Sequence, residues 1–374
     1  MGIDMRRGNI NMHLPFLCFF FIPRRSPSIV ISFVGLLFSI FLLLSSCSSR
    51  PAKPVTESEF YLGTLCSVTL YDRVPKGIFK EVFAKVQDIE EKMSVNREDS
   101  EISRVNKNAG KKPVSLSEES FFVISRALEI AEISGGAFDP TVGPLVELWG
   151  IGTEGERIPE KEEIQELLPL VHFRNVVLDR ENREVFLKRE GMKLDLGGIA
   201  KGYAADSAAA ILREKGVKEA IIDFGGNILV LGKKGGKTPW RVGIQDPRNQ
   251  RGRFLGIVHL TDSAVVTSGN YERYFTSNGK RYHHILDTHT GYPIWNNLDS
   301  ATIVTKNSTD ADALSTAVYA MGLKRGLDLI RGLSYGEGII VTKGKEVYRS
   351  SGMAEAFVLS SFSEEGYRII KETP

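Results

Sequence analysis

Residues 193–206 read Lys193-Leu194-Asp195-Leu196-Gly197-Gly198-Ile199-Ala200-Lys201-Gly202-Tyr203-Ala204-Ala205-Asp206. The pattern predicts a short strand over 193–196, a glycine turn, and an Ala-rich helix over 199–215 stopped by Gly216. Glycine at the turn permits positive φ and close approach of a ligand. The free N–H groups of the new helix, with Lys201 in its first turn, suit an anion such as phosphate. The stretch is neither a GxxxxGK[ST] phosphate loop nor a GxGxxG dinucleotide fingerprint. A tight structural turn with a solvated lysine is the competing reading.

Working outward, residues 60–71 read as a strand and 77–93 as an amphipathic helix with Ile78, Phe79, Val82, Phe83, Val86 and Ile89 on one side. Asp99, Ser100 and Ser117 are helix-start signals, and the helix from Ser117 stops at Gly135-Gly136. A short helix is expected over 160–168 and a hairpin over 176–187. Strands are expected over 220–224, 228–231, 240–244, 255–260, 264–267, 282–286 and 300–305, then a helix over 310–321 stopped by Gly322. Strands and helices do not alternate strictly. The expected fold class is therefore α+β, with mixed or antiparallel sheets.

The chain has 374 residues, 42% hydrophobic and 25% charged, with a net charge of +2. That balance excludes a disordered chain and argues against a nucleic-acid surface. Arg24 and Arg25 precede an uncharged apolar run over 29–44, which ends Leu44-Ser45-Ser46-Cys47. A small residue before Cys47 resembles the lipobox of bacterial lipoproteins; an uncleaved membrane anchor is the alternative. The expected organisation is a signal peptide over 1–46, a lipidated Cys47 with a linker over 47–58, and an exported domain over 59–374. The chain would then be tethered to a membrane, facing the periplasm or the cell exterior. Of the three cysteines, Cys18 leaves with the signal and Cys47 is lipidated, so Cys66 stands alone and reads as a small buried hydrophobe.

Other stretches could carry chemistry. In Asp310-Ala311-Asp312-Ala313-Leu314-Ser315-Thr316, Asp312 and Thr316 share a helical face. Hard oxygens on one face suit Mg²⁺; N-capping by Asp310 is the commoner alternative. Adjacent His283 and His284 on a strand point to opposite faces and cannot share a metal, but either could act as a general base. Ser134 to Leu145, Asp223 to Asn227 and Thr267 to Arg273 are glycine-bearing loops or strand ends that could shape a pocket.

In combination and order, these motifs resemble the ApbE family of FAD:protein FMN transferases. The matching pieces are SGGAFDPTVGPLVELWGIG, LDLGGIAKGYAAD, IDFGGNI, TSGNYERYF, HHILDTHTGYPI and DADALSTAVYAMG. The resemblance implies a two-lobed single catalytic unit in which FAD is the substrate and Mg²⁺ the cofactor. It implies metal contacts from Asp312, Thr316, the Gly198 carbonyl and, where some relatives carry Asp, Ser315. It implies cofactor contacts from Leu62, Ala137, Phe138, Asp139, Asp195, Lys201 and Leu286, and catalysis by His284. The implied acceptors are flavoproteins of membrane redox pumps, modified on a Thr within a D-G-x-x-T-like segment. One position departs: Asn96 stands where many relatives have an aromatic residue. Without a ring to stack there, FAD is expected to be held more loosely, which favours hydrolysis to FMN and AMP. A flavin-binding lipoprotein without turnover is the alternative from another class.

Overall fold

The computed structural model describes residues 53–250, 252–360 and 366–371. The signal segment, Cys47 and the first residues of the linker lie outside them. From Pro51 onward the chain clusters as one unit. Among the described residues, no helix is long and apolar enough to cross a membrane.

A nine-stranded sheet organises the unit. Its strands are β1 (Val55–Tyr61), β2 (Thr64–Leu70), β3 (Ala220–Phe224), β4 (Asn227–Leu231), β5 (Ser263–Gly269), β6 (Leu298–Thr305), β7 (Gly336–Thr342), β8 (Glu346–Arg349) and β9 (Arg368–Ile369). They lie side by side in chain order. All neighbours are antiparallel except β8 and β9. The helices are α1 (Ile78–Met93), α2 (Glu101–Lys107), α3 (Glu118–Ile133), α4 (Gly143–Trp149), α5 (Lys161–Leu167), α6 (Ala200–Glu214), α7 (Ser308–Gly332) and α8 (Met353–Ala356). Helix α7 is broken at Gly322, whose φ is 77°. The fold is α+β, as the pattern predicts.

Period-two alternation explains why the central strands are apolar almost throughout. Leu229, Leu231, Ala264, Val266, Ala301, Ile303 and Ile340 face a core shared with α1, α3, α6 and α7. Val230, Val265, Val304, Ile339 and Val341 face a second core, closed by Trp240, Val242, Ile244, Leu255, Val258 and Phe357 of a separate three-stranded sheet. Cys66 is fully buried in the first core, and burial pushes its thiol up to about 12, so it is inert.

Three expectations change. Residues 60–71 are not one strand: β1 and β2 form a hairpin turning on Leu62 (φ 53°) and Gly63 (φ 68°), and β1 begins at Val55, inside the stretch read as linker. Residues 193–196 are not a strand. Only Lys193 bridges to Val142, because other groups take the backbone bonds. The Asn106 side chain accepts from the Leu194 N–H (2.7 Å) and donates to its carbonyl (3.0 Å), and the Asp195 N–H donates to the Pro140 carbonyl (2.8 Å). The strand expected over 282–286 ends at His283.

Candidate active site

Helices α6 and α7 cross closely where their first turns meet. A Cβ on Gly202 would stand 2.3 Å from the Ser308 carbonyl oxygen, so only glycine fits there. Asp206, one turn further along α6, accepts from the Ser308 N–H (2.7 Å), the Thr309 N–H (2.8 Å) and the Thr309 hydroxyl (2.5 Å). Asp206 therefore caps α7 from another helix, and Asp310 does not. Asp310 instead receives a bidentate pair from Arg126 of α3, at 2.6 and 3.0 Å.

With Asp310 engaged, Asp312 is the acid turned to α6. It is 4% exposed and accepts from the Gly202 N–H (3.0 Å) and from the Lys201 ammonium (3.3 and 3.4 Å). Lys201 also donates to the Gly197 carbonyl (3.0 Å). Thr316 approaches the same turn: a Cβ on Gly198 would lie 3.9 Å from its Oγ1 and 3.1 Å from the Phe138 ring. Ser268 of β5 sits behind, 3.2 Å from the Thr316 hydroxyl and 2.9 Å from that of Ser315. Ser315 is fully buried and donates to the Asp312 carbonyl (2.9 Å). Its hydroxyl is thus tied to α7 and β5. Among the described residues, no group of three or more His, Cys, Asp or Glu side chains is placed to hold a metal. The donors gathered here are of another kind: one buried carboxylate, one hydroxyl and turn carbonyls, a set of hard oxygens that fits Mg²⁺ shared with a phosphate.

The two histidines separate cleanly. His283 is buried, its Nε2 2.9 Å from the Ile294 carbonyl, while its Nδ1 accepts from the Ile285 N–H at 3.3 Å. Both nitrogens are satisfied, and the ring is structural. His284 is exposed to solvent, with protein packed around it. Its Nδ1 lies 3.2 Å from the Arg273 carbonyl. A carbonyl only accepts, so Nδ1 carries the proton and Nε2 keeps its lone pair. Enclosure, then the Arg273, His283 and Lys201 charges, push His284 down to about 4 despite the bond to that carbonyl. The ring is neutral at neutral pH. Asp195 is similarly enclosed, which raises its carboxyl; the Gly197 N–H (2.7 Å), Lys201 and Arg273 draw it back.

The loop from Ser134 to Pro144 lines up beside the Asp195 turn through the Val142–Lys193 bridge and the Asp195–Pro140 bond. Asp139 is buried, and its carboxylate accepts from the Thr141 N–H and hydroxyl and the Phe173 N–H. Its side chain thus builds the loop. Ala137 is half-buried at its rim. Leu286 is buried with Leu145, Trp149 and Ile164 in a small core beside the loop. Thr288 ties that segment back by donating to the Gly136 carbonyl (2.7 Å). Leu62, at the β1–β2 turn, donates its N–H to Glu90 (2.8 Å), and the neighbouring Gly63 carbonyl accepts from Arg273 (3.4 Å). Asn96 is exposed in a turn closed by its N–H on the Ser94 hydroxyl (3.2 Å). Among the described residues, no hydrogen bond ties Asn96 to the other site residues.

The sequence reading quotes Asp206, Ser268 and Arg273 within their motifs but gives them no role of their own, and it omits Asn106. Each acts across more than forty positions or through its backbone, so no local spacing marks it.

The ApbE family model matches residues 62–354. The chain belongs to the ApbE family. An FAD:protein FMN transferase of Treponema pallidum is 36% identical over 340 residues, covering 86% of this chain and 94% of that protein. One from Klebsiella pneumoniae is 36% identical over 313 residues, covering 84% and 96%. The crystal structure of the ApbE protein of Thermotoga maritima superposes with a TM-score of 0.75 at 36% identity, over 81% of this chain and 99% of that one. The flavin transferase ApbE of Vibrio cholerae does so with a TM-score of 0.75 at 29% identity, over 82% and 100%. The α+β architecture and the order of the motifs are those of an ApbE-family transferase, an enzyme class whose substrate is FAD.

Proposed function

We propose that the chain binds FAD across this cleft and transfers the FMN half to a hydroxyl of another protein, releasing AMP. The observation that carries the reading is the bonding of His284: Nδ1 is fixed on the Arg273 carbonyl and Nε2 is free, in reach of the Lys201 and Arg273 charges. Nε2 takes the proton of the attacking hydroxyl. The oxygen bonds to the FMN phosphorus while the P–O bond to AMP breaks, and AMP leaves with that electron pair. Lys201 and Arg273 hold negative charge on the phosphates. Asp312, Thr316 and the Gly198 carbonyl would hold Mg²⁺, which when bound supplies charge neutralisation to the diphosphate and the leaving group.

The acceptor hydroxyl is proposed to be a Thr in a D-G-x-x-T-like segment of a redox-pump flavoprotein, giving a phosphoester. A lipid on Cys47 is proposed to hold the domain outside the cytoplasm, where such acceptors lie. Asn96 supports a second outcome at the same site. A short exposed amide offers no ring for stacking, so water competes as acceptor and FAD is hydrolysed to FMN and AMP. The test is to incubate the chain with FAD and Mg²⁺, with and without acceptor. AMP released with acceptor, together with flavin bound to it, supports transfer. Absence of AMP in both arms overturns transfer and hydrolysis together.

A further inference from the structure

Strands Tyr274–Ser277 and Lys280–His283 form a two-stranded sheet that pairs with no other described strand. They turn on Asn278 (φ 51°) and Gly279 (φ 73°), the conformation of a tight hairpin. A lone hairpin is marginal in water, yet this one is pinned on one face. Phe275 stacks on Tyr282 at 5.2 Å, Tyr282 on Trp149 at 5.8 Å, and the fully buried Trp149 donates to the Gly291 carbonyl (2.8 Å).

Exposed cations lie on both of its faces: Lys280 shares the face of Phe275 and Tyr282, and Arg281 the face of Tyr274. The Arg281 guanidinium lies 4.1 Å over the Tyr274 ring, and the Lys280 ammonium 4.1 Å over the ring of Trp295, which is 54% exposed. Lys343 stands 6.0 Å from the same indole. Aromatic faces hold these cations without cancelling their charge. Among the described residues, no carboxylate forms an ion pair with Lys280, Arg281 or Lys343, whose charges stand near aromatic rings. The second strand runs straight into His284, three residues beyond Arg281, or roughly 10 Å at strand spacing. A pre-set surface of exposed aromatics and uncancelled cations, ending at the free Nε2, matches how interfaces concentrate binding energy.

We infer that this hairpin, with Trp295 and Lys343, is the docking site for the protein acceptor, and that it takes an acidic, extended segment leading to the reacting hydroxyl. The inference rests on the FMN-transfer reading above. Charge complementarity selects the partner: three exposed cations, Lys280, Arg281 and Lys343, call for an acidic chain. The open hairpin edges offer backbone bonds to an extended one.

The test uses the full chain and a flavin-acceptor domain carrying a D-G-x-x-T segment. The K280E/R281E double variant is compared with wild type, with W295A as a second variant that leaves charge unchanged. The expected result is a rise on the order of tenfold in the acceptor KM and a flattened salt dependence of kcat/KM. FAD affinity and acceptor-free AMP release stay at wild-type values. Calorimetric binding of the acceptor domain to the chain, measured without FAD, weakens in parallel and reads docking even where transfer is not seen. Unchanged acceptor affinity and salt dependence in both variants would overturn the inference. So would loss of FAD affinity together with acceptor affinity, which would assign the hairpin to the FAD site. Wild-type chain that binds the acceptor but never flavinylates it would count against the transfer reading and leave the docking site standing.

Discussion

The Lys201 ammonium stands 3.3 Å from one carboxylate oxygen of Asp312 and 3.4 Å from the other, with the Gly197 carbonyl as its third partner. The cation thus occupies the charge-balancing position on the one buried carboxylate offered to a metal. A divalent ion and an ammonium cannot both sit there without repulsion. On the proposed reading, FAD phosphates would resolve the conflict by giving Lys201 another anion. Replacing Lys201 by Met should therefore raise the affinity of the FAD-free chain for Mn²⁺, read by electron paramagnetic resonance, while lowering turnover with FAD. Unchanged or weaker Mn²⁺ binding would count against this exchange.

His284→Gln should lower turnover by roughly 10² to 10⁴, the usual contribution of a general base, with FAD binding retained. The pH profile is a sharper check. The active form is the neutral ring, and its pKa is held at about 4, so activity should persist as pH falls past 6.5 and decline only toward 4. An acid limb centred near 6.5 would contradict the enclosure of His284. His283→Gln removes the bond to Ile294 and should act on thermal stability before it acts on chemistry.

Asp206→Ala should destabilise the fold by about 1–2 kcal/mol, since it strips a cap from α7. It should also weaken metal binding, because the turn it caps carries Asp312. Thermal melting with and without Mn²⁺ and FAD separates the two effects: the shift produced by the ligands should shrink as well as the base value. A lower melting point with an undiminished ligand shift would confine Asp206 to stability.

Much of the fold is legible in the sequence because it is locally written. Ser100 and Ser117 cap the helices they precede, accepting from Ser103 and Ser120, and the α3 helix ends where Gly135-Gly136 begins. The β1–β2 hairpin is hidden because its first turn residue is Leu62, a side chain that rarely takes φ 53°. The stretch before Gly197 looks like a strand because charged and apolar residues alternate in it, but the Asn106 side chain, 88 positions away, and the Pro140 carbonyl take the backbone bonds that a strand would use. The site shows the same division. Asp312, Thr316, Gly198, Lys201 and His284 are legible as motif residues. That Phe138 lies under Gly198, or that Asp206 orders the turn bearing Asp312, depends on contacts about 60 to 100 positions apart, to which periodicity is blind.

Asn96→Tyr should slow FAD release and shift the outcome from hydrolysis toward transfer. A ring at this exposed turn supplies a stacking surface that the amide lacks, worth about 0.5–1.5 kcal/mol beyond its buried area. Flavin retained through gel filtration and the ratio of AMP to flavinylated acceptor give the readout. Equal retention in both proteins would mean that position 96 does not reach the ligand.

The most direct measurement of the central claim is mass spectrometry of an acceptor domain incubated with the chain, FAD and Mg²⁺. The account predicts one added FMN on a single Thr, matched by an equal amount of AMP, and neither product with His284→Gln. An acceptor left unmodified while FAD remains intact would contradict it.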